Sequence, residues 1–210
     1  MKSNTVSYII AICIFLIATT FEKLNAQFVI NPQAGITAQT LANEPSTIEQ
    51  KARVGYTFGI DGRWGNKFYF QPGVFYGKAS TQYTTYNELD TLQQNQIESK
   101  LDRTILTVKL FAGYNLVHKD GFKLRINAGP YVDFITNVKD EKELLDEGNF
   151  NSTLLNFKVA GGVDIWFLTA ELGYGWGITN AFDDKYGNED SKFNQLHLTV
   201  GITFGGGEKD

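Results

Sequence analysis

Residues 122–134 read FKLRINAGPYVDF. Every second residue, Phe122, Leu124, Ile126, Ala128, Pro130, Val132 and Phe134, is apolar, and the residues between them include Lys123, Arg125, Asn127 and Asp133. A period of two is the signature of a β-strand with two chemically different faces. If the apolar row packs into the core of a soluble sandwich, the charges meet water. If the apolar row meets lipid, the charges are enclosed inside a barrel.

The same alternation recurs along the chain and predicts an all-β fold with eight strands, 28–38, 52–62, 67–78, 103–116, 122–137, 154–166, 167–178 and 193–204. One face collects rows such as Val54, Tyr56, Phe58, Ile60 and Leu196, Leu198, Val200, Ile202, Phe204. The other carries Arg53, Asp61, Gln71, Lys109, Lys123, Arg125, Asp133, Lys158, Asp164, Glu171 and His197. No charge interrupts the apolar rows, which matters in lipid, where Lys or Arg near the midplane of the outer wall costs about 2–4 kcal/mol.

Three further signals favour lipid. Soluble strands average about 5–6 residues, whereas about 11 residues at about 3.3 Å each and a tilt near 45° cover roughly 26 Å, the height of a bilayer core. Glycines such as Gly55, Gly73, Gly113, Gly129, Gly162, Gly173 and Gly175 fall on the polar face, where a narrow lumen needs space and a solvent face does not. Strand joins alternate short (62–66, 117–121 and the Trp166-Phe167 break) with long (39–51, 79–102, 138–153 and 179–192), matching short periplasmic turns and long extracellular loops. Trp64, Phe68, Phe122, Phe167 and Phe204 lie toward the turns, and Tyr76, Phe134, Trp176 and Phe193 toward the loops, as two interfacial girdles. The architecture expected is an eight-stranded antiparallel up-and-down transmembrane β-barrel. A secreted soluble barrel or sandwich is the alternative, and it predicts recovery in the periplasmic fraction.

The N-terminus fits this setting. Lys2 precedes the apolar run Tyr8–Ala18, too short for a membrane span, and Ala26 is a small residue suited to signal-peptide cleavage. Residues 1–26 then read as a signal peptide, 27–204 as the barrel and 205–210 as a short periplasmic tail. Cys13, the one cysteine, lies in the apolar run, so no disulfide is expected after cleavage.

The inward charges Arg53, Asp61, Lys109, Lys123, Arg125, Asp133, Lys158, Asp164 and Glu171 are nearly balanced in sign. That predicts a self-satisfied network plugging the lumen, since isolated buried charges are expensive and paired ones tolerable. A narrow porin is the competing reading, and eight strands leave little bore for it. A lipid-modifying enzyme would need a His-based site, but His118 falls in a turn and His197, facing inward, has no evident activated serine. No catalytic residue and no cofactor is expected. The loop DDKYGNED (183–190) lacks the spacing of a calcium loop, so no metal site is expected either. The net charge of −4 gives no reason to expect nucleic acid. Each long join carries an excess of acids, such as five against two lysines in 138–153. Acidic loops are suited to bridging through divalent cations to the lipopolysaccharide-bearing outer leaflet, or to binding a cationic partner. Pro32, Pro72 and Pro130 each lie within a strand, and because proline cannot donate to a ladder, bulges are expected at Gly129-Pro130 and Pro72-Gly73.

The segments LRINAGPYVDF (124–134), NFKVAGGVDIWFLTAELGYGWGITN (156–180) and HLTVGITF (197–204) resemble the PorT-like outer-membrane β-barrel domain family. NPQAGITA (31–38) and FQPGVFYG (70–77) do so more loosely. The resemblance implies an eight-stranded barrel in the Gram-negative outer membrane, inserted by the barrel-assembly machinery. One namesake member takes part in secretion, which makes an envelope or secretion protein a candidate partner. The function expected is structural or interactive, and non-enzymatic.

Overall fold

The computed structural model describes residues 28–42, 48–86, 96–140, 151–181 and 191–205. The elements are β1 (Phe28–Ala42), β2 (Ile48–Ala52), β3 (Val54–Gly65), β4 (Phe68–Tyr86), β5 (Gln96–Lys119), β6 (Phe122–Asp140), β7 (Thr153–Ile165), β8 (Leu168–Gly177), β9 (Lys192–Ile202) and β10 (Phe204–Gly205). All pairings are antiparallel, in the order β10-β1-β3-β4-β5-β6-β7-β8-β9 with β2 paired to β4, and β1 closes the circle by pairing with β9 as well as β10. Because β2 continues β3 and β10 continues β9, the wall is a closed eight-stranded barrel.

The opening choice is settled by β6. Phe122, Leu124, Ile126 and Phe134 are exposed, whereas Arg125 is 0 %, Tyr131 2 % and Asp133 1 % exposed. The same inversion runs along β7, where Leu155, Phe157, Val159 and Ile165 face out and Asn156, Lys158 and Asp164 are buried. A soluble protein would hide such rows; only a lipid surround makes this wall favourable. Aromatic pairs mark both ends: Phe28–Trp64 and Phe68–Tyr114 near the turns, with ring centroids 5.0 and 4.8 Å apart, and Tyr174–Trp176 toward the loops at 4.9 Å. Phe193 is a correction. It shares the parity of Gln195 and Thr199, is buried in the lumen, and belongs to no girdle.

The short turns are laced together. Trp166 N–H donates to the Gly121 carbonyl at 2.7 Å, and Thr203 N–H donates to the Phe167 carbonyl at 2.7 Å. Gly121, at φ 73°, lies where a Cβ would strike the Trp166 indole, so glycine is required there twice over.

The prolines do not make bulges. The register sum is unchanged across Lys109↔Tyr131 and Ala112↔Ala128, across Asp61↔Gly73 and Trp64↔Phe70, and across Ile30↔Phe204 and Gln33↔Gly201. In each case two rungs are missing where the proline nitrogen faces its neighbour, while the opposite neighbour pairs normally, as in Pro130↔Phe157 and Pro72↔Leu110. An antiparallel residue directs N–H and C=O to one side only, so proline forfeits rungs on that side without moving the register. Register shifts occur instead between Thr104 and Ile105 and between Asn115 and Val117. On the other side of β5, Asn115 N–H donates to the Lys67 carbonyl at 2.9 Å, continuing the Phe68↔Tyr114 register into the β3–β4 turn.

The long joins 39–51 and 79–102 are also corrected. β4 and β5 remain paired from Thr81↔Leu101 to Tyr86↔Gln96, and β2 pairs with β4 from Ile48↔Thr85 to Ala52↔Thr81. Much of the expected loop is therefore a three-stranded sheet rising from the wall. The signal peptide with its cleavage site at Ala26, the tail 206–210 and the loop 183–190 lie outside the described residues. Gly205, placed in the tail by sequence, pairs with Val29 and ends the wall.

Candidate functional site

The lumen is filled by side chains from every wall strand, brought to one axis by the period-two alternation. Nearest the turns, Arg63 on β3 and Asp164 on β7 meet at 2.5 Å. Asp164 also accepts from Thr169 at 2.6 Å and faces the Arg125 Nε at 3.3 Å. Arg125 donates from its other nitrogens to Glu171 at 2.6 Å and to the Thr169 hydroxyl at 2.8 Å. Glu171 accepts in addition from Asn127 at 2.9 Å and lies 3.3 Å from the Lys158 ammonium.

A second centre forms around Asp61 at the same depth. Its carboxylate accepts from Gln33 at 2.7 Å, Gln71 at 2.8 Å and Asn31 at 3.2 Å, and pairs with Lys109 at 2.7 Å. Toward the loops, Asp133 accepts from Thr107 at 2.5 Å, Gln195 at 2.9 Å and Asn156 at 3.3 Å. Above it, Arg103 donates to the Gln39 side chain and stacks its guanidinium 3.8 Å over the Phe193 ring. Asp61, Asp133 and Asp164 thus each gather three or more donors, and Glu171 has Arg125 and Asn127 with the Lys158 ammonium beside it, the condition under which a buried charge is tolerated.

Of the expected network, Asp61, Lys109, Arg125, Asp133, Lys158, Asp164 and Glu171 are buried in the lumen. Lys123 sits half-buried at the turn-side rim. Arg53 is a correction: it is exposed, because pairing shifts by one between Ala52↔Thr81 and Tyr56↔Lys78 and Arg53 is the extra residue. Arg63 and Arg103, not anticipated as members, are buried. His197 stands edge-on to Tyr131 with centroids 6.0 Å apart, and its Nε2 makes no hydrogen bond among the described residues. His118 lines a vestibule of about 190 Å³ at the turn end, with Arg63, Lys119, Lys123, Asp164 and Trp166. No cluster of three or more metal-ligating side chains occurs among the described residues.

Glycine opens the room this network needs. A Cβ at Gly162 would collide with the Arg125 guanidinium, and one at Gly175 with the Tyr131 hydroxyl. Gly175→Val is expected to lower stability by about 1–3 kcal/mol, read from urea unfolding of the detergent-folded barrel.

The family model described as "Outer membrane protein beta-barrel domain" matches residues 23–183. No curated protein sequence matches the chain. Among solved structures, Ail, the attachment invasion locus protein of Yersinia pestis, solved with the heparin analogue sucrose octasulfate, is similar at 12 % identity and TM-score 0.47. That likeness covers 85 % of this chain and 99 % of Ail. Neisserial surface protein A is similar at 15 % identity and TM-score 0.48, over 84 % of this chain and 97 % of its own. LpxR from Salmonella typhimurium is similar at 10 % identity and TM-score 0.30, over 82 % and 99 %. With the matched model spanning most of its length, this chain belongs to the outer-membrane β-barrel domain family.

Proposed function

We propose that this protein is a closed, non-enzymatic barrel of the Gram-negative outer membrane that works by surface contact, through the sheet it raises above the bilayer. The observation that carries the reading is the continuation of β4 to Tyr86, ten residues past the loop-side aromatic Tyr76 and roughly 33 Å of strand at about 3.3 Å per residue. A strand needed only to cross lipid would stop near Tyr76. Ordered pairing beyond it, joined by β2, builds a rigid platform where a loop would have sufficed.

The platform suits an envelope or secretion partner, in keeping with the PorT-like texture of the strands, while the outer wall contacts lipid and lipopolysaccharide. The lumen supports the closed half of the reading. Two of its internal spaces, about 40 and 30 Å³, adjoin one another at Thr57, Thr107 and His197 and are too small for a nutrient solute. In planar bilayers the purified protein is expected to give no stable single-channel steps, and regular steps would favour a narrow porin.

The platform is tested by shortening the hairpin, joining Ser80 to Arg103 through a two-residue turn. The barrel is expected to keep its heat-modifiable gel migration and to lose the partners captured from detergent-solubilised envelope by the full-length chain. Capture of the same partners by the shortened chain would sink the proposal.

A further inference from the structure

The geometry points to a binding site for one small monovalent anion, of the halide class, in the small chamber between His197 and the buried side chains of Lys109, Lys158 and Tyr131. The chamber, about 40 Å³, has Phe75, Phe111 and the threonines Thr57, Thr107 and Thr199 as its other walls, and no carboxylate lines it. One water needs roughly 10–15 Å³ measured the same way, so a halide ion with a water is accommodated.

Arg63, Asp164, Arg125, Glu171 and Lys158 form a connected chain in which signs alternate and both ends are cations. The chain therefore carries one positive charge in excess. Arg63 ends it at the vestibule; Lys158, itself buried, ends it at the chamber. Glu171 is committed on its Oε2 to Arg125 at 2.6 Å and Asn127 at 2.9 Å, and Lys158 has only a 3.3 Å approach to Oε1, which makes no hydrogen bond. Lys109 is held from behind by Asp61 at 2.7 Å and faces the same chamber. Two ammonium groups on one small, weakly screened space repel unless something negative lies between them.

A second, independent observation lies in the donors. Tyr131 is 2 % exposed, yet its hydroxyl has no hydrogen-bond partner among the described residues, and neither has the His197 Nε2. Both line the chamber. Two ammoniums, which can only donate, and a phenol hydroxyl free to donate face this space beside the unbonded His197 Nε2, a set that suits an anion better than a lone water. The phenyl rings of Phe75 and Phe111, with the Lys109 ammonium 4.5 and 5.2 Å from their centroids, keep the space small and hold the lysine stem in place. That restricts the occupant to a compact ion and excludes sulfate or a sugar phosphate.

The test uses full-length barrel refolded into detergent in sodium bromide and crystallised from it. A bromide anomalous peak in the chamber, against Lys158, is expected; a chamber filled by waters alone overturns the proposal. In solution, the urea midpoint at fixed ionic strength should be higher in bromide than in gluconate, and an equal midpoint overturns it. Tyr131→Phe removes a hydroxyl that makes no hydrogen bond among the described residues, so its stability in gluconate should match the native barrel while its apparent bromide affinity falls about five- to tenfold. An unchanged affinity counts against the site. Lys158→Met removes the excess charge and should abolish the bromide effect altogether. Should that variant fail to fold, Tyr131→Phe decides alone.

Discussion

Arg125→Met should be the most damaging single substitution in the lumen, lowering the unfolding free energy by about 3–5 kcal/mol. Arg125 is completely buried and its three nitrogens are divided among Asp164 at 3.3 Å, Glu171 at 2.6 Å and Thr169 at 2.8 Å. Removing it leaves two carboxylates that have lost their shared cation. Arg63 still neutralises Asp164 at 2.5 Å, but Glu171 is left with Asn127 and the distant Lys158. The loss comes from stranding charge and not from losing attraction, and that distinction can be measured. A triple variant, Arg125→Met with Glu171→Gln and Lys158→Met, removes the connected segment as a unit and leaves the Arg63–Asp164 pair intact. It should recover most of the stability lost by the single change, because replacing a whole buried ion set by apolar or neutral groups is often close to neutral. Urea unfolding in detergent, followed by tryptophan fluorescence, checks both. A single variant within 1 kcal/mol of native would show the network to be far weaker than its geometry implies, and a triple variant no better than the single one would show that packing rather than charge dominates.

What could be read before the structure follows from the alternation, and what was missed follows from where the alternation was judged to stop. In β6 the sequence places seven apolar residues on one face and the structure exposes that face, because a barrel crossing lipid leaves no other side for them. Arg63 lies two residues beyond Asp61, and Arg103 lies six before Lys109, so both share the inward parity of residues that were recognised. The expected strands place Arg63 in the turn 62–66 and Arg103 at the first position of its strand; in this barrel the ladder runs through both positions, and the inward parity holds there. Phe193 stands near a strand end where an interfacial aromatic is expected, but its parity with Gln195 puts it inside, beneath Arg103. Arg53 follows the inward parity of its strand, but a one-residue shift in pairing expels it. No local property of that arginine announces the shift. The raised sheet was illegible for a physical reason. Above the bilayer neither face has to be apolar, so STQYTTY (80–86) loses the contrast that identifies a strand while keeping the backbone pairing that makes one. The prolines were read correctly as a difficulty and wrongly as bulges, because the cost of a missing donor falls on one neighbour and the ladder absorbs it in place.

Val159→Arg should cost about 2–4 kcal/mol in a bilayer and reduce the fraction of chains that insert. Val159 faces outward in the middle of β7, between Phe157 and Gly161, and pairs with Ala128 on one side and Tyr174 on the other, which places it near the midplane, far from both aromatic ends. An arginine there cannot reach either interface without bending the wall, and it has no lumen partner because the barrel lies between them. Thr153→Arg, at the loop end of the same strand and also exposed, should cost about 0–1 kcal/mol, since the side chain reaches the headgroups. The pair isolates the environment of the outer face from every other property of the strand. In water an exposed arginine at either position would fall within about 0.5 kcal/mol of native, so the depth dependence itself is the discriminating quantity. Folding into lipid vesicles, scored by heat-modifiable migration across a urea series, gives the comparison directly. Equal stability of the two variants would mean that the apolar wall faces something other than the hydrocarbon of a bilayer, and would return FKLRINAGPYVDF to the choice with which it began.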